Sequence, residues 1–110
     1  MVIDTANKLA EEIRQSEEFI SFKEAQKKAF ADEYVAGLLK AFSVLQTSLQ
    51  MQSLNGIEPD EIDVQRFSRL SSLLYDTEEG SAYLLAQVRL QKMVGDVMQI
   101  ITKASEIGAE

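Results

Sequence analysis

Cysteine, histidine and tryptophan are absent from this chain, proline occurs once, and glycine only five times in 110 residues. Each absence removes a class of chemistry or fold. Without cysteine there is no disulfide framework, no thiolate nucleophile and no cysteine-ligated iron–sulfur cluster. Without histidine there is no Ser-His-Asp triad, and without both there is no zinc site of the Cys/His type. So little proline and glycine argues against a turn-rich all-β design. Every apolar run is interrupted by charge, so no stretch reaches the roughly 18 residues of a membrane span. The segment Met1-Val2-Ile3-Asp4 lacks the basic start of a signal peptide. These features are read as those of a cytoplasmic protein with no membrane attachment.

What remains is rich in helix formers. The apolar fraction is 45% and the charged fraction 26%, ordinary for a folded globular domain. The length suits one domain, residues 1–110, with a small core. Net charge is −7, spread as −2 over residues 1–55 and −5 over residues 56–110. Direct binding to nucleic-acid phosphate needs a clustered basic face, which this balance disfavours. Lys23, Lys27 and Lys28 form the one basic cluster, with Glu24 inside it. It reads as a solvated helix face.

Apolar residues recur with helical period from end to end. Ala6, Leu9, Ala10 and Ile13 predict a first helix from about Asp4 to Gln15. Ser16, followed by Glu17 and Glu18, predicts an N-cap and a second helix to Ala31. Asp32 is the next N-cap, opening a helix from Glu33 to about Leu54. Along it Val35, Leu38, Phe42, Leu45, Leu49 and Gln52 make a heptad-like seam, expected to pack inside the protomer. Asn55-Gly56 predicts a left-handed C-cap. Pro59 is expected in the first turn of a fourth helix carrying Ile62, Phe67, Leu70, Leu73 and Leu74 and ending near Tyr75. Asp76 or Thr77 caps a last helix that runs to about Ile107.

This last helix carries the strongest signal about association. Placing residues at 100° steps from Leu90, the apolar positions from Met93 to Ile107 fill an arc about 180° wide, while Leu84, Leu85 and Val88 lie on the opposite side. One intramolecular stripe needs only about 100°. A second copy is therefore expected, with Tyr83, Leu84, Leu85, Val88, Leu90, Val94, Val97 and Ile101 as its interface.

No catalytic set converges. The acid pairs Glu11-Glu12, Glu17-Glu18, Asp60-Glu61 and Glu78-Glu79 point about 100° apart on a helix, and three of them sit at helix starts where the dipole explains them. The acids from Glu58 to Asp63 lack the spacing of a calcium loop and read as a capping cluster. No glycine-rich phosphate loop is present. No metal, cofactor or catalytic residue is assigned.

Leu9-Ala10-x-x-Ile13-x-x-Ser16-Glu17 is followed by Phe22, Ala25, Ala29 and Asp32, and then by Leu38-Leu39-x-x-Phe42-x-x-x-Gln46-x-x-x-Gln50. Beyond these come Gly56, Tyr83-Leu84-x-Ala86 and a last helix of regularly spaced Leu, Val and Ile. This order resembles that of the YlbF/YmcA family of small bacterial cytoplasmic proteins. The resemblance implies an all-α fold of long antiparallel helices that assembles into dimers or larger oligomers. It also implies a non-enzymatic regulatory adaptor, acting with other family members or a nuclease complex in ribonuclease Y–linked RNA processing, competence, sporulation or biofilm control. Some members are tied to iron–sulfur clusters through cysteine, a property that side chains of this chain cannot supply. The alternative is a helical homo-oligomer with a structural role and no regulatory partner.

Overall fold

The computed structural model of the chain describes residues 1–105. It contains five helices and, among the described residues, no strand: α1 (Val2–Arg14), α2 (Glu17–Ala31), α3 (Glu33–Leu54), α4 (Glu61–Tyr75) and α5 (Glu78–Ser105). The expected last turn at Ile107 lies outside the described residues.

Each junction follows from a side chain that satisfies orphan helix-end groups. Ser16 joins α1 to α2 by using its hydroxyl twice: it donates to the Ile13 carbonyl at 2.6 Å and accepts from the Phe19 amide at 3.2 Å. Thr77 repeats this between α4 and α5, donating to the Leu74 carbonyl at 2.8 Å and accepting from the Gly80 amide at 3.0 Å. Asp32 accepts from the Val35 amide at 3.1 Å and is shared as C-cap of α2 and N-cap of α3. Gly56, at φ 70°, closes α3 in a Schellman motif. There Ile57 N–H donates to the Gln52 carbonyl at 2.8 Å and Gly56 N–H to the Ser53 carbonyl at 3.1 Å.

Two boundaries differ from the sequence reading. The first helix begins at Val2 rather than Asp4. Pro59 lies outside α4, not in its first turn, because Asp60 takes the N-cap and its carboxylate accepts from the Ile62 amide at 2.8 Å.

The helices pair antiparallel: α2 lies along the first half of α5, and α3 along α4. The two pairs meet at a core of Ala29, Val35, Leu39, Phe42, Leu74 and Leu84, with Leu38, Phe67, Leu70 and Tyr83 packed against it. Phe42 and Phe67 stack across α3 and α4 with centroids 4.8 Å apart. Val35, Phe42 and Leu45 of the expected seam are buried within the protomer.

The result is a thin layer. Its extents are 46 × 35 × 16 Å, and its radius of gyration is 16.9 Å. A compact chain of this length has about 13 Å. The accessible surface is 8489 Å², where a compact monomer of this mass exposes roughly 6100 Å².

Candidate interaction surface

The start of α5 is enclosed because α2, α3 and α4 all reach it. Gly80, Leu84 and Ala86 are buried there. Tyr83 is half-buried, tilted against Phe22 at 5.3 Å and edge-on to Phe30 at 6.1 Å between ring centroids. Burial raises its hydroxyl above the ordinary 10.0, and the Gln26 side chain pulls it partly back.

The eight residues assigned to association from sequence fall into three environments. Leu84 is 5% exposed and lies in the core. The helical wheel puts it opposite the Met93–Ile107 arc and the sequence reading assigns it to the interface; enclosure by three neighbours instead widens the buried arc of α5 until it takes in that position. Leu85 and Val88, at 49% and 56% exposure, lie on the outer surface. Tyr83, Leu90, Val94 and Val97 are half-buried along the inner stripe, and Ile101 continues that stripe into solvent.

That stripe is left open for a geometric reason. Helix α2 has 15 residues and α5 has 28, so α2 covers only part of its partner. Glu18, near the start of α2, sits beside Arg89, Lys92, Met93 and Asp96. Beyond this point α5 runs on with Met98, Ile100 and Ile101 exposed.

Helix α1 is the second uncovered element, and its exposure was not foreseen from periodicity. Its 13 residues include no buried one. Leu9, Ala10 and Ile13 are half-buried, while Val2, Ile3 and Ala6 are exposed. Among the described residues it packs on no helix but α2. An isolated helix of this length is marginal in water. Periodicity found the stripe but carries no signal that the stripe lacks an intramolecular cover.

The polar groups are dispersed. Glu11–Arg14, Asp63–Arg66 at 3.9 Å and Lys92–Asp96 at 3.4 Å pair within their own helices on the surface, where each stabilises by well under about 1 kcal/mol. Lys23, Lys27 and Lys28 are exposed along α2. Among the described residues no group of three or more Asp, Glu, His or Cys side chains gathers as around a metal ion. No helix among them is long and apolar enough to cross a membrane. A cleft of about 530 Å³ opens between α2, α3 and α5, lined by Gln26, Phe30, Gln46, Tyr83 and Gln87 among others.

The chain is similar to proteins that share both its sequence and its shape. A UPF0342 protein of Alkalihalophilus pseudofirmus is 33% identical over 105 residues, covering 96% of this chain and 89% of that protein. A UPF0342 protein of Oceanobacillus iheyensis is 31% identical over 104 residues, covering 94% and 89%. A solved structure from Bacillus stearothermophilus, a protein of unknown function (DUF964), superposes with a TM-score of 0.82 at 20% identity, over 96% of this chain and 92% of that one. The all-helical layer is thus a shared fold. With residues 2–104 matched, the chain belongs to the family described as Control of competence regulator ComK, YlbF/YmcA.

Proposed function

We propose that this protein is a regulatory adaptor that works by protein–protein association rather than catalysis. In this reading residues 1–110 form one cytoplasmic helical domain that self-associates. The assembled form presents a surface to other family members or to a nuclease complex of the ribonuclease Y type, in the control of competence and related programmes. The family supports a regulatory role, since it is named for control of the competence regulator ComK. The surface excess carries the associative mechanism. An accessible area of 8489 Å² exceeds that of a compact monomer by roughly 2400 Å². A stable interface needs about 800 Å² from each partner. The exposed large apolar residues include Val2 and Ile3 on α1, Met98, Ile100 and Ile101 on the far half of α5, and Val44, Met51, Leu54, Ile57 and Ile62 on α3, α4 and the link between them.

Sedimentation equilibrium of the purified protein tests self-association, with a dimer or larger species expected at micromolar concentration. A monomer whose mass is independent of concentration overturns it. Deleting the gene in its host and measuring ComK-dependent transcripts tests the regulatory role, and an altered transcript level is expected. Affinity capture followed by mass spectrometry identifies the partner. Reproducible recovery of a nuclease or a second family member supports the adaptor. Recovery of the chain alone, with unchanged transcripts, leaves a structural homo-oligomer.

A further inference from the structure

We infer that α1 is an exchanged arm: the helix of one copy lies on the open inner stripe of α5 in a second copy, and the reverse. This rests on the self-association proposed above and assigns its seam. Both elements extend from the same end of the molecule. Helix α1 leaves α2 at Ser16, and Glu18 lies beside Arg89 and Met93, where α5 begins to outrun α2.

Neither element covers the other within one chain. Among the described residues α1 makes no close approach to α5. The turn between α1 and α2 is fixed by Ser16, whose N–H donates to the Ile13 carbonyl at 3.1 Å while its hydroxyl bonds both helices.

The two surfaces match in chemistry. Helix α1 offers Ala6, Leu9, Ala10 and Ile13; α5 offers Val94, Val97 and Ile101. Small alanines on one side and branched residues on the other allow close helix packing. The α5 side is basic, with Arg89, Lys92 and Lys103 against Asp96 over residues 89–105, whereas the α1 arm is close to neutral, its Asp4 paired with the Met1 ammonium at 3.5 Å and its Glu11 with Arg14. In a chain of net charge −7, this part of α5 is a local excess of positive charge. Two reciprocal contacts of this kind fit within the surface excess of the protomer.

The absence of cysteine makes the seam directly testable. Single-cysteine variants A6C and I101C of the full chain are mixed, equilibrated and oxidised. A cross-link joining the two variants is expected, and A6C mixed with L54C, a site at the end of α3, gives none. In parallel, L9E and V97E should each raise the dimer dissociation constant about a hundredfold, as a charge placed in an apolar seam does. Their far-ultraviolet circular dichroism reports whether the fold is kept. A dimer that persists with no A6C–I101C cross-link overturns the arm exchange and leaves self-association standing. A monomer at every concentration overturns both.

Discussion

The backbone of Gly80 lies directly on Leu74: a Cβ at Gly80 would stand 2.6 Å from the Leu74 carbonyl oxygen and also meet Thr77 Oγ1. The same carbonyl already accepts the Thr77 hydroxyl at 2.8 Å. A methyl group here strikes backbone that the α4–α5 turn holds in place. Gly80→Ala is therefore expected to destabilise by about 2–3 kcal/mol, against the roughly 1 kcal/mol that helix propensity alone would return. Gly37 and Gly95 meet nothing within 4 Å. There the propensity term stands alone, and alanine should stabilise by about 0.5–1 kcal/mol. Urea denaturation of the three variants checks the opposite signs.

Leu74 is also the point where the two helix pairs join. It is fully buried, in one cluster with Ala29 and Val35 of α2 and α3 and Leu84 of α5. Leu74→Ala removes buried methyls where three other helices converge, so little local collapse can fill the space. The expected cost is about 3–5 kcal/mol, a large part of the stability of a domain this size. Leu54→Ala, at 83% exposure, should cost under about 0.5 kcal/mol. Thermal unfolding of both should show a large drop in Tm for the first and almost none for the second.

The helices were legible because their signals are local. Ser16, Asp32 and Gly56 each act within four residues of themselves, and the structure places each as a cap where the sequence indicated. Pro59 was misplaced by two positions because Asp60, next to it, outcompetes it as the helix start. The packing was less legible. The 3–4 spacing along α3 picked Val35, Phe42 and Leu45 but omitted Leu39, which is buried because α2 and α5 approach α3 from a second side. Leu84 was assigned to the interface, opposite the Met93–Ile107 arc, for the same reason: a helical wheel assumes one neighbour, and this helix start has three. The exposed state of α1 was invisible to periodicity, since an amphipathic stripe looks the same whether or not its own chain covers it.

Asp32 serves two helices at once, closing α2 and accepting the Val35 amide that opens α3. Val35 is itself in the core, so freeing its amide loosens the residue that anchors α3. Asp32→Ala should cost about 1–2 kcal/mol and Asp32→Asn much less, because the amide oxygen still accepts. Asp60 makes the equivalent bond at an exposed helix start. Asp60→Ala is expected to fall at about 0.5 kcal/mol, the low end of the range for caps. Guanidinium denaturation of the three variants orders them. An Asp60 effect larger than that of Asp32 would contradict the argument that a shared, core-adjacent cap matters more.

Tyr83 links stability to alkaline pH. Burial beside Phe22 and Phe30 disfavours its phenolate, so its hydroxyl titrates higher folded than unfolded, with Gln26 opposing the shift. The unfolded chain then loses its proton first as pH rises. The stability due to neutral Tyr83 is intact below about pH 10 and falls as pH climbs through the folded value. Tyr34 and Tyr75 are exposed and remain in both proteins of the comparison. The Tyr83→Phe variant should accordingly lose less stability than the wild type between about pH 8 and about pH 11. At neutral pH it should be destabilised by about 1 kcal/mol or less through loss of the hydroxyl's polar contact. Urea unfolding across that pH range measures the difference, and parallel curves for the two proteins would mean that Tyr83 is as free to ionise in the fold as in the open chain.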